Sequence, residues 1–217
     1  VSPSGPRTAG KYGMGLLSTA ATTKAAFDAL PGTWKIYEEQ AITHGVTAAR
    51  LNWRLVGPVH IAETREAARE NVKFGIQQWL HYFAYVGHLP LAATGEDNVD
   101  SDIDALIEAR IAVIGTPDDL VEQITRLNDQ SGGFGVFLDM AHNWADFEQT
   151  KRSYELIARY VMPQFKGMAE RQEEAYRWAM KKKPELLERR QAGVDRAIEN
   201  HAAERAENSE KKTSSDV

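Results

Sequence analysis

The sequence predicts an α/β protein, the C-terminal half of a TIM (β/α)8 barrel with a helical C-terminal extension. Three observations carry this. Short apolar, strand-like runs alternate with amphipathic stretches, the pattern of parallel βαβ units. Strand candidates fall at 1–2, 14–18, 54–62 and 134–140, roughly half of the eight strands that a closed barrel needs. Composition then shifts near Pro163: residues 1–165 carry 14 basic and 20 acidic side chains, and 166–217 carry 12 and 11 with almost no β-branched residues.

The elements follow in order. Ser2-Pro3-Ser4-Gly5-Pro6 reads as a strand end running into a turn, then a short helix through Tyr12. Gly13–Ser18 is an apolar run after two glycines, read as a buried strand. Residues Thr33–His44 read as helix, with Trp34, Tyr37 and Ala41 at spacings of three and four. The run Arg54–Ala62 is β-like, and Gly57-Pro58 inside it predicts a bulge or strand end, because proline cannot donate to a ladder. Thr64 caps one long helix, with Val72, Ile76, Leu80 and Phe83 on a single face. Residues 87–101 read as a long loop. Ile111–Ile114 is a further strand-like run, followed by Thr116 as N-cap, Pro117 at the first helical position, and two acids suited to the helix dipole. Gly132-Gly133 ends that helix, and Phe134–Met140 reads as a second buried strand. A helix over Ala145–Val161 is expected to turn Phe147, Tyr154, Ile157 and Val161 inward. The domain reading is 1–167 for the partial barrel, 168–206 for an exposed helical extension and 207–217 for a frayed tail.

Composition narrows the function. A net charge of −5 over 217 residues argues against nucleic acid. With no cysteine, disulfides and thiolate metal sites are excluded. No apolar run approaches a membrane span and no secretory signal is visible, so a cytoplasmic protein is expected. HExxH, Rossmann and GxSxG motifs are absent, and no metal site is expected.

Two clusters could carry chemistry. Ser2, Ser4 and Gly5 place hydroxyls and free N–H groups at a helix start beside Arg7, which suits a phosphate; the alternative is an ordinary capping turn. His142 and Trp144 follow a strand, on the segment that faces the mouth of a parallel barrel. An imidazole there can exchange protons and an indole can wall a flat pocket, or Trp144 can pack under the next helix. Asp139 either carries charge near the mouth or caps the loop. His60 reads as a hydrogen-bonded core histidine. His81 and His88 have no carboxylate at metal spacing, and Trp79, Tyr82, Phe83 and Tyr85 read as core or subunit interface.

Three segments, in order, then resemble a known family. They are GTPDDLVEQI at Gly115–Ile124, GGFGVFLDMAHNWA at Gly132–Ala145 and SYELIARYVMPQFKG at Ser153–Gly167. The chain resembles the C-terminal half of bacterial luciferase-like, flavin-dependent monooxygenases, in the subgroup of limonene monooxygenase-like proteins. The resemblance implies a barrel that uses reduced FMN, supplied by a separate flavin reductase, and O2 to oxygenate a small apolar organic substrate. It puts Ser2, Ser4 and Gly5 at the FMN phosphate and His142 and Trp144 at the substrate pocket. It also implies that the family's first four strands and catalytic histidine lie outside this sequence, so the catalytic residues stay unassigned. The piece alone is then expected to be inactive, and the full-length protein to be a homo-oligomer. A coenzyme F420-dependent oxidoreductase of the same fold, and a non-catalytic flavin-binding or partner-stabilising homologue, are the alternatives.

Overall fold

The computed structural model describes residues 2–87, 98–165 and 168–213, with side-chain surroundings over 2–87, 98–165 and 176–201. The expectation for His88 lies outside them. The chain forms two compact units, 1–165 and 166–217.

In the first unit, helix α1 (Ser4–Tyr12) opens the described chain. No strand forms at Ser2, contrary to the expectation for 1–2: Ser2 and Pro3 are the turn that starts α1. Strands β1 (Leu16–Ser18), β2 (Trp53–Gly57) and β5 (Val136–Asp139) make a parallel sheet in the order β1-β2-β5. Strands β3 (Val59–Ile61) and β4 (Val113–Gly115) make a second parallel pair. The described strands therefore form two α/β sheets rather than one arc.

Pro58 divides them. The Gly57 carbonyl accepts from Met140 N–H beside β5, and the next carbonyl, that of Pro58, accepts from Val113 N–H beside β4. The expected interruption of 54–62 is thus the point where the chain changes sheets.

The three-stranded sheet is one-sided. Leu16, Trp53 and Leu55 join a core with Leu30, Trp34 and Tyr37 of helix α2 (Lys24–Thr43). The alternate residues Leu17, Val136 and Leu138 are 51%, 40% and 37% exposed. Strand β5 is thus half-exposed and not the buried strand expected, because it pairs with β2 on one side only.

Helix α2 begins nine residues earlier than predicted and contains Pro31. Pro31 has no N–H for the Phe27 carbonyl four residues back. Gln130 of helix α6 (Pro117–Ser131) supplies the missing donor at 3.3 Å, so tertiary structure repairs what local sequence forbids. The predicted single helix after Thr64 is two, α3 (Arg65–Val72) and α4 (Ile76–Tyr85). They part at Gly75, whose N–H donates to the Trp144 carbonyl at 2.9 Å. A Cβ at Gly75 would collide with the Asn143 carbonyl.

Helix α5 (Val99–Glu108) forms partly where a loop was expected, capped by the Asn98 side chain. Helix α7 (Phe147–Leu156) is capped by Asp146, passes through a wider turn over Ile157–Val161, and leads into α8 (Met162–Phe165). Its inward residues are Ser153, Leu156 and Val161. Phe147 and Tyr154, expected inside, are 77% and 48% exposed. The Ser153 hydroxyl accepts from Ile61 N–H at 3.0 Å and fixes this phase.

In the second unit, helix α9 runs from Met168 to Thr213, through Pro184 and past residue 207, where the frayed tail was expected to begin. No described helix is long and apolar enough to cross a membrane.

Candidate active site

Parallel strands end together, so the C-terminal ends of β1, β2 and β5 share one rim. Neighbouring strands lie ~4.8 Å apart, which puts the β1 and β5 ends about 10 Å from each other. The two candidate clusters sit at opposite ends of this rim.

At the β1 end lies a cavity of about 230 Å3 lined by Ser2, Gly5, Ser18 and Thr19. The Ser2 and Ser4 hydroxyls share a hydrogen bond at 2.8 Å, and Ser2 Oγ accepts from Ser4 N–H at 3.3 Å. Pro3 occupies the N-cap position and gives no side-chain cap, so Ser2 turns back over the helix start in its place. A Cβ on Gly5 would meet nothing within 4 Å, so space is open above its backbone. Ser18 Oγ accepts from the Trp53 indole at 3.1 Å, which leaves the Ser18 O–H as a donor. Arg7 is exposed and does not line the cavity. Its polar lining is Ser2, Ser18, Thr19 and Thr33 with the Gly5 backbone and no carboxylate, set among apolar residues that include Leu16, Leu17 and Leu30; those hydroxyls and the helix start fit a phosphate. Sequence reasoning missed Ser18 and Thr19; adjacent hydroxyl residues at the C-terminal end of a strand were the available signal.

At the β5 end, the loop after Asp139 folds onto the Val59 peptide. His142 Nε2 lies 3.0 Å from the Val59 carbonyl, which can only accept. The proton is therefore on Nε2, and Nδ1 accepts the Trp144 N–H at 3.4 Å. Burial first, and nearby His60 as well, lower the His142 pKa to about 4. The ring is thus neutral near pH 7, suited to donate a hydrogen bond and not to carry a proton. It stacks on Trp144 at 3.9 Å.

Trp144 is fully buried, edge-on to Trp79 at 5.0 Å and packed among Val72, Ile76 and Leu80. The structure thus sets it beneath His142. Its Nε1 has no hydrogen-bond partner among the described residues.

Asp139 completes this end. Its carboxyl accepts from Val59 N–H, while Oδ1 is buried without a partner among the described residues. Burial pushes its pKa up to about 7. The Val59 peptide is thus held at both ends, N–H by Asp139 and carbonyl by His142. His60 is 1% exposed, accepts from Asn71 Nδ2 at 3.2 Å, and has a pKa lowered to about 4 by burial. It is the core histidine expected. No group of residues that could hold a metal ion occurs among the described residues.

A parallel α/β scaffold with polar groups at the carboxyl ends of its strands defines a ligand-binding enzyme class. The chain belongs to the luciferase-like monooxygenase family, whose profile matches residues 1–133. It is 41% identical over 206 residues to limonene 1,2-monooxygenase of Rhodococcus erythropolis, covering 95% of this chain and 52% of that relative. Identity to 4-hydroxyprotoasukamycin monooxygenase of Streptomyces nodosus subsp. asukaensis is 33%, over 82% of this chain and 48% of that protein. The chain spans about half the length of these relatives. Among solved structures, it matches the FMN-bound oxygenating constituent of 3,6-diketocamphane monooxygenase from Pseudomonas putida, a type II Baeyer-Villiger enzyme. The TM-score is 0.57 at 28% identity, covering 73% of this chain and 44% of that one.

Proposed function

We propose that this chain is part of an FMN-dependent monooxygenase that uses reduced flavin and O2 to oxygenate a small apolar, terpene-like molecule. The carrying observation is the cavity at the β1 end, where the Ser2, Ser18 and Thr19 hydroxyls meet the start of α1 and space is open over Gly5. Ser2, Gly5 and the Ser4 hydroxyl would hold the FMN phosphate, joined by Ser18. Bound reduced FMN would supply the oxygen activation; the protein supplies binding, orientation and exclusion of water.

The chain's own groups divide the remaining work. His142, fixed as the Nε2–H tautomer, borders the substrate end of the rim and keeps its orientation by stacking on Trp144. Trp144 acts as its floor. The half-exposed face of Leu17, Val136 and Leu138 would lie on the interior of a completed barrel. Oxygenation then needs the other half of the barrel, and a separate reductase provides the reduced cofactor. In this reading the protein works in the cytoplasm.

The test is an anaerobic titration of the 217-residue protein with reduced FMN, followed by absorbance. Saturable binding that Ser2→Ala weakens at least tenfold is the expected result. Binding of a reduced deazaflavin in preference to FMN, or of neither, would overturn the assignment.

A further inference from the structure

An apolar stripe on α9 carries an inference of a different kind, independent of the catalytic reading. At 3.6 residues per turn, Tyr176, Met180, Leu187, Val194 and Ile198 fall within a sector of about 40°. They are between 44% and 65% exposed. Met180, Leu187 and Val194 repeat every seven residues, the interval that lets two helices keep one seam.

The charges beside the stripe are ordered. Lys183 and Arg190 lie on one flank, Glu188 and Asp195 on the other, and each acid follows a base by five residues. Within the helix, Glu185 already pairs with Lys182 and Arg189. Among the described residues Lys183, Glu188 and Arg190 form no ion pair. In a parallel pair of identical helices, opposite flanks meet across the seam, so a base meets the acid five residues on in the other chain. An antiparallel pair would set base against base. The mixture of signs also disfavours an anionic membrane as the occupant.

Pro184 and Gly193 lie inside this stretch, and each weakens a helix that stands alone. A helix with such interruptions gains most from burying its stripe.

We propose that α9 pairs with α9 of a second copy of this chain as a parallel, in-register coiled coil. Met180, Leu187, Val194 and Ile198 supply the apolar part of the seam, with Pro184 and Gln191 at the alternating positions. Lys183 of one copy faces Glu188 of the other, and Arg190 faces Asp195.

Sedimentation velocity on the 217-residue protein tests this. The expected species is a dimer, reduced to monomer by Lys183→Glu with Arg190→Glu. Adding Glu188→Lys and Asp195→Lys restores the dimer, which separates lost charge pairing from lost folding. The chain has no cysteine, so Val194→Cys forms a single disulfide-linked dimer under mild oxidation only if the helices run parallel and in register. Leu187→Asp gives a monomer. A monomer at every concentration, a dimer indifferent to the charge reversal, a Val194→Cys protein that stays unlinked, or binding to anionic vesicles in place of dimerisation would each overturn the proposal.

Discussion

Replacing Asp139 by asparagine tests the reading of the β5 end through the energetics of one proton. The carboxyl's ordinary pKa of 3.8 rises to about 7 in the folded protein, because burial disfavours its charge. A raised carboxyl pKa means that the folded state holds the proton more tightly. The associated stability is fully present below about pH 4 and is lost as pH rises through 7. The whole span of some three units corresponds to ~4 kcal/mol. Between pH 5 and pH 8 the loss is about 2.5 kcal/mol, since part of it has occurred by pH 5. Asparagine keeps an oxygen for the Val59 N–H but cannot ionise, so Asp139→Asn removes this dependence. His60 and His142 work in the opposite direction: their pKa values fall to about 4, so their contribution is present above 6.5 and is lost as pH falls. Comparing wild type with Asp139→Asn at each pH cancels that histidine contribution. Urea unfolding at pH 5 and pH 8 should show the variant gaining on wild type by roughly 2.5 kcal/mol between the two. A gap that stays constant with pH would refute the claim that this carboxyl is buried and uncompensated.

Further outcomes follow from the same geometry. Trp144→Ala should cost about 3–5 kcal/mol in urea unfolding, because a fully buried indole leaves a cavity under His142. The Asp119 carboxylate accepts from Arg65 at 2.6 Å first, and from Thr116 N–H at 2.8 Å, and these bonds hold its pKa down at about 2. Its contribution is present above about pH 4 and lost as pH falls through 2, and Asp119→Ala should cost ~1–2 kcal/mol at pH 7 by thermal unfolding, with the exposed Arg65 adding little. Gly75→Ala should destabilise by at least ~2 kcal/mol, since its Cβ meets the Asn143 carbonyl and forces apart the contact that separates α3 from α4; unfolding midpoints in urea measure it.

Where local chemistry decides structure, the sequence was readable. Thr116, Pro117 and Asp119 form the helix start that their order implies, and Thr64 accepts from Ala67 N–H as an N-cap should. Gly132 ends α6 in the left-handed conformation, which glycine adopts without strain. Elsewhere distant partners decided. Nothing near Pro31 in the sequence announces that Gln130 will complete its helix, and nothing near Gly75 announces the Trp144 carbonyl. Phe147 and Tyr154 share a face seven residues apart, but Ser153 chose which face turns inward by bonding to Ile61. The candidate site divides the same way. Ser2 and Gly5 were legible as a helix start, and the structure adds Ser18 and Thr19 from a strand end. His142 was legible at its strand end; its tautomer, its hold on Val59 and the depth of Trp144 depend on three-dimensional packing.

The most direct test of the central claim, that the β1-end cavity holds the phosphate of FMN, is a side-by-side fluorescence titration with FMN and riboflavin. The two ligands differ only by that phosphate. The account predicts that the protein binds FMN at least tenfold more tightly than riboflavin, and that Ser2→Ala narrows the gap by weakening FMN alone. Equal affinity for the two flavins, or a gap that Ser2→Ala leaves untouched, would contradict it.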